Sequence, residues 1–189
     1  MIHETAQIHS SANISGDVEI GAFAIIDKNV SIGTGSVVKE HAVIRENTSL
    51  GKNNTIYQFS TIGDVPQDLK FSGEETKTTI GDNNIFREYS SIHRGTEKGI
   101  SNTIVGNNNL FMAYTHVAHD CIIDDHCILS NAASLAGHVK VESNVSLGGF
   151  TLVHQFCTIG KYAFSGLGTV ISQDVTPYTL VAGNHAKAY

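Results

Sequence analysis

At 189 residues the chain has room for one domain or two, and its 18 acidic side chains outnumber 12 basic ones, for a net charge of −6 and an isoelectric point near 5.9. No basic run occurs anywhere, which argues against nucleic acid as the natural partner and leaves an acidic carrier without a local patch to meet it. The polar opening from Met1 to Ser10 reads as neither a signal peptide nor a membrane span, so a cytoplasmic protein is predicted.

From Ile8 onward an apolar residue recurs at every sixth position: Ile14, Ile20, Ile26, Ile32, Val38, Ile44, Leu50, Ile56 and Ile62, then Ile80, Phe86 and Ile92. Asp68 and Glu74 interrupt this first series. After a one-residue slip it resumes at Val105 and runs through Phe111, Val117, Ile123, Leu129, Leu135, Val141, Leu147, Val153 and Ile159 to Ile171, missing once at Ser165. A period of six is neither the 3.6 of a helix nor the plain alternation of an open sheet; it predicts a short extended segment, a corner, and another segment.

Two residues before each repeat position stands a small or β-branched side chain, for instance Ala24, Ala42, Cys121 or Thr151. Strand alternation puts it on the same side as the repeat residue, so large and small side chains fill one narrow interior. Glycine directly follows the repeat residue at Gly21, Gly33, Gly51, Gly63, Gly81, Gly106, Gly148, Gly160 and Gly166, where its backbone range is expected to ease the bend. Three segments would close a triangular coil, with layers about 4.8 Å apart and roughly eight of them. One all-β body over residues 1–189 is therefore predicted, a parallel β-helix whose handedness the period alone does not give. Cys121, Cys127 and Cys157 fall in the small inward column and read as reduced core fillers.

Two polar stretches leave the pattern, at about 64–79 and 94–103. Loops that protrude from a rigid repeat body are favoured places for binding groups, and Gln67, Asp68 and Lys70 sit together in the first. Among the ten histidines, four lie close to one face of successive layers. Val117, Leu135 and Val153 lie eighteen apart, hence on one face in successive layers; His116 and His119 flank the first, His138 follows the second and His154 the third. One groove would gather these imidazoles within roughly 10 Å. Imidazole suits proton abstraction from a hydroxyl at neutral pH, which points to group transfer onto an alcohol. Clustered histidines also suit a metal. The pair separated by four residues that marks a zinc hydratase on such a scaffold is missing, so no metal is predicted. His3, His9, His41 and His126 read as surface or hydrogen-bonded structural residues.

The segments IYQFSTIGDVPQDLKFSGE (56–74), IHRGT (92–96), LFMAYTHVAHDC (110–121), NAASLAGHV (131–139), GGFTLVHQFCTIG (148–160) and PYTLVAGNHA (177–186) resemble the UDP-N-acetylglucosamine O-acyltransferases of lipid A biosynthesis, in register along essentially the whole chain. The resemblance implies a left-handed coil, a homotrimer, and active sites between neighbouring subunits. It implies transfer of an (R)-3-hydroxyacyl group from acyl carrier protein to the 3-hydroxyl of UDP-N-acetylglucosamine, without metal or bound cofactor. His119 falls on the family's general base, Asp120 on the residue that orients it, and Gly137 on an amide that stabilises the thioester oxyanion. Strand alternation, which points neighbouring side chains apart, speaks against a His119–Asp120 pairing. Asp68, Lys70, His116, His138, His154 and Gln155 would touch sugar, diphosphate or acyl chain, and His185 the phosphopantetheine end.

Two departures carry expectations of their own. The family continues past the GNHA segment into a C-terminal helical domain, whereas this sequence stops at Tyr189, which bears on nucleotide affinity. Leu167, after Gly166, stands where the acyl groove ends in the family it resembles, and its bulk predicts a shorter acyl chain. Two other readings compete: an N-acyltransferase acting on an amino-sugar nucleotide with acetyl-CoA or acyl carrier protein, and a non-catalytic relative.

Overall fold

The computed structural model describes Met1–Tyr189. Its 27 strands, mostly two residues long, form three sheets of nine, eight and ten strands. Each sheet is one face of a triangular prism, and successive strands visit the faces in turn, giving a left-handed parallel β-helix. Pairing joins equivalent residues one coil apart, as in Gln7 with Ile25 and His116 with Ser134. The single antiparallel pair, Leu180–Ala182 with Lys187–Ala188, lies at the C-terminal end.

Repeat residues point inward, and 35 buried side chains form one continuous core along the axis. Burying each Ile or Leu contributes roughly 1.5–3 kcal/mol, so the apolar column drives the coiling. Part of the small column is polar. Buried Asn54, Asn84 and Asn109 stack through successive layers, Asn84 Nδ2 donating to Asn54 Oδ1 at 3.1 Å and the Asn109 amide donating to Asn84 Oδ1 at 2.9 Å. Each side chain thus supplies a partner to the backbone of the next layer, which its burial requires.

The corners depart from expectation. Left-handed backbone belongs to non-glycine residues three places before the repeat residue, among them Phe23, Asn29, His41, Asp120 and His138, with φ between 56° and 64°. Of the glycines that follow repeat residues only Gly63 has a positive φ. Close approach explains the others: a Cβ on Gly33 or Gly81 would lie 2.6 Å from a carbonyl oxygen of the next coil. Equivalent corner residues stack on the outside, so Phe23, His41, Phe59, Tyr89 and Tyr114 form a ladder of parallel rings 5.0–5.2 Å apart. The three cysteines are buried and unbridged.

Both loops leave the same corner, between the first and second faces, after Asp64 and after His93. They lengthen the spacing of paired residues without breaking the stack, Thr61 pairing with Ser91 and Ser91 with His116. The second loop therefore absorbs the slip in the repeat.

Candidate active site

On the first face, just beyond these loops, lies a cleft of about 400 Å³ lined by Gln67, His116, Ala118, His119, Ser134, Leu135, Ala136, Gly137, Leu152 and Val153. Its centre is the His119 imidazole, whose side chain is only 15% exposed. His119 Nδ1 lies 2.8 Å from Asp120 Oδ2. The alternation argument against this pair fails because Asp120 is not in a strand: with φ 60° it turns the corner, and the turn swings its carboxylate back beside the preceding ring.

Asp120 has a fully buried side chain, and its oxygens are met by the second loop. The Thr96 hydroxyl donates to Oδ2 at 2.6 Å, the Thr96 amide to both oxygens at 3.1 Å, and the Ile100 amide to Oδ1 at 3.0 Å. Burial by itself raises the pKa of this carboxyl, but hydrogen bonds from Thr96 and His119 outweigh it and hold the group below the usual carboxylate range. Asp120 is therefore an anion at neutral pH.

The His119 ring lies against Gly137, one layer on, where a Cβ would come 2.6 Å from Cε1 and 2.7 Å from Nε2. The Gly137 amide donates to no backbone carbonyl, and the residue lines the same cleft. His138 meets His119 edge to face at 5.0 Å, and Phe156 stacks flat on His138 at 4.5 Å. His116 Nδ1 is 2.8 Å from the Ser91 hydroxyl, and burial lowers its pKa. Beneath it, His93 is pushed down to about 4 by burial, with the neighbouring His116 adding to the effect.

His119, Asp120 and His138 place ligand-type atoms within 4.8 Å of one another, a grouping that residue spacing did not reveal. The acceptor capacity of Asp120 is already taken by the loop donors and the imidazole, so the donor set fits a hydrogen-bonded acid–base pair better than a metal.

Within this single chain, other sequence-selected residues lie apart from the cleft. Asp68 accepts from the Lys70 amide at 2.9 Å in a local turn, and it is Gln67 of that loop that reaches the cleft wall. His154 and Gln155 are exposed on the next layer, Gln155 following Gly137 in the column headed by His119. Leu167 is 78% exposed at the opposite corner of the first face, its Cδ1 3.0 Å from where a Gly149 Cβ would stand. His185 lines a separate depression at the C-terminal end. Thr96, Ile100, Ser91 and Phe156 were not singled out in the sequence; the only signal was that the second loop leaves the corner that His119 occupies.

The repeating coil with one recessed imidazole–carboxylate pair defines a hexapeptide-repeat transferase, and residues 102–137 match the family described as bacterial transferase hexapeptide (six repeats). The chain is 48% identical over 188 residues to the acyl-[acyl-carrier-protein]–UDP-N-acetylglucosamine O-acyltransferase of Stutzerimonas stutzeri, all of this chain matching 73% of that one. It is 50% identical over 185 residues to the protein of that name from Aliarcobacter butzleri, spanning 98% of this chain and 71% of the relative. The solved structure of LpxA from Acinetobacter baumannii superposes with a TM-score of 0.99 at 46% identity, over 100% of this chain and 73% of that one. The UDP-N-acetylglucosamine acyltransferase of Bacteroides fragilis gives 0.98 at 41%, over 100% and 74%. This chain belongs to the UDP-N-acetylglucosamine O-acyltransferase family.

Proposed function

We propose that the chain transfers a 3-hydroxyacyl group from acyl carrier protein to the 3-hydroxyl of UDP-N-acetylglucosamine, with His119 as general base. The observation that carries this reading is the His119–Asp120 bond of 2.8 Å on the cleft floor, with the unengaged Gly137 amide against the ring. A carboxylate on Nδ1 holds the proton there and leaves the Nε2 lone pair free. Nε2 takes the sugar hydroxyl proton as the oxygen attacks the thioester carbon. The Gly137 N–H donates to the carbonyl oxygen as it gains charge, the kind of preorganised donor that stabilises a tetrahedral intermediate. Collapse forms the ester, breaks the C–S bond, and returns the proton from Nε2 to the thiolate.

Leu135, Ala136, Leu152 and Val153 give one wall of the cleft an apolar lining suited to an acyl chain, which is proposed to run across the first face toward Leu167. His116 and His138 border the sugar and diphosphate, while His154 and Gln155 one layer on, and Asp68, Lys70 and His185, none of which line this cleft, serve a site completed by a neighbouring subunit of a homotrimer. No helix is long and apolar enough to cross a membrane, and a cytoplasmic carrier protein is the donor.

Replacing His119 by Ala should lower kcat by about 10²–10⁴-fold, as loss of a general base does. Product mass after incubation with UDP-N-acetylglucosamine and either 3-hydroxyacyl carrier protein or acetyl-CoA identifies donor and acceptor together. An acetylated product, or full activity in His119→Ala, overturns the reading.

A further inference from the structure

We propose that Thr96 is a positioning residue for this reaction, acting from the second loop through the Asp120 carboxylate to set the His119 ring; the inference rests on His119 being the base. Asp120 stands between two imidazoles, with His119 Nδ1 at 2.8 Å and His138 Nε2 at 3.9 Å from the same oxygen, Oδ2. Which ring that oxygen serves depends on where the carboxylate is aimed. Thr96 aims it: its hydroxyl donates to Oδ2 and its amide to both oxygens, while the Ile100 amide takes Oδ1 from the other side.

The loop is built to present these donors. Gly99 and Ser101 both donate their amides to the Thr96 carbonyl at 3.1 Å, closing a turn around the carboxylate. The Arg94 amide donates to the Asp64 carbonyl at 2.9 Å, and the Gly95 amide to the Lys77 carbonyl at 3.1 Å, so the turn is pinned to the coil at its base. A Cβ on Gly99 would fall on the carboxylate itself, overlapping both of its oxygens. A buried carboxylate needs its lone pairs met, and four of its contacts here come from a segment that touches no other part of the cleft. Ring placement to within a fraction of an ångström is what a base needs in order to meet a hydroxyl.

The test compares Thr96→Val, Thr96→Ser and Gly99→Ala in the full chain, with His119→Ala as the control on the base. Thr96→Val removes the hydroxyl donor without changing shape. It should lower kcat about ten- to a hundredfold, the range for one hydrogen bond to a charged group, with KM unchanged for both substrates. Thr96→Ser should restore most of that loss, and Gly99→Ala, which displaces the carboxylate sterically, should reproduce it. Proton NMR gives a readout that needs no turnover: the far-downfield resonance of an imidazole N–H held by a carboxylate should be present in the wild type and absent or shifted in Thr96→Val. If circular dichroism shows that Thr96→Val does not fold, Gly99→Ala decides the matter. Wild-type kcat in Thr96→Val or Gly99→Ala, or a rise in KM alone, overturns the positioning role while leaving the base intact. An active His119→Ala instead overturns the base assignment.

Discussion

Gly137→Ala isolates the steric demand of the site. The new methyl would stand 2.6 Å from Cε1 and 2.7 Å from Nε2 of His119, where ordinary contact begins at about 3.4 Å, so the ring has to retreat by most of an ångström. Behind Gly137 is the coil, and the partly exposed ring is the softer side of the contact. Moving it lengthens the 2.8 Å bond to Asp120 and draws Nε2 away from the hydroxyl it must meet. Displacement of a reacting group by about 1 Å costs roughly 100-fold, about 2.7 kcal/mol of transition-state stabilisation. The Gly137 backbone is not left-handed, so alanine is not strained there, and the 137 amide itself is retained. Acyl transfer followed by mass spectrometry should therefore show kcat about 100-fold down, with thermal unfolding changed little. Activity within twofold of wild type would show that ring position is not limiting and would refute the reasoning.

Asn84→Ala removes the middle rung of the buried ladder and leaves the Asn109 amide and the Gly106 carbonyl without their side-chain partner; a loss of roughly 2–4 kcal/mol is expected in urea unfolding. His93 has a native pKa near 4 against an ordinary 6.5, so stability is complete above pH 6.5 and falls as pH drops toward 4, where protonation favours the unfolded chain. The slope approaches 1.4 kcal/mol per pH unit, and His93→Gln should flatten it in pH-dependent thermal melts. Leu167→Gly should shift preference toward longer acyl donors, checked by competing donors of different length; an unchanged ratio would remove Leu167 from the end of the groove.

The period of six made the fold legible because every layer repeats one local event, two extended residues and a corner, so the pattern survives two loops and a slip. The same periodicity brought His116 and His119 to one cleft by counting alone, with His138 packed against the His119 ring, whereas His154, counted with them, is exposed on the next layer. Other features could not be counted. Whether Asp120 faces His119 depends on a left-handed corner that a strand rule does not anticipate. Which first-loop residue reaches the cleft, Gln67 rather than Asp68 or Lys70, depends on how the chain folds back outside the repeat.

The glycines make the division plain. Sequence marked Gly21, Gly33 and Gly81 as special and supplied the wrong cause, because a bend and a close approach select the same residue; only packed coordinates distinguish φ from crowding. The sequence by itself determined the coil, its inward column and the group of histidines on one face, all properties of spacing along the chain, while His119 as the candidate base came from the family resemblance. Tertiary structure decided the partnership of Thr96, Asp120, His119 and Gly137, because that depends on contacts between layers and across a loop, where no periodicity operates.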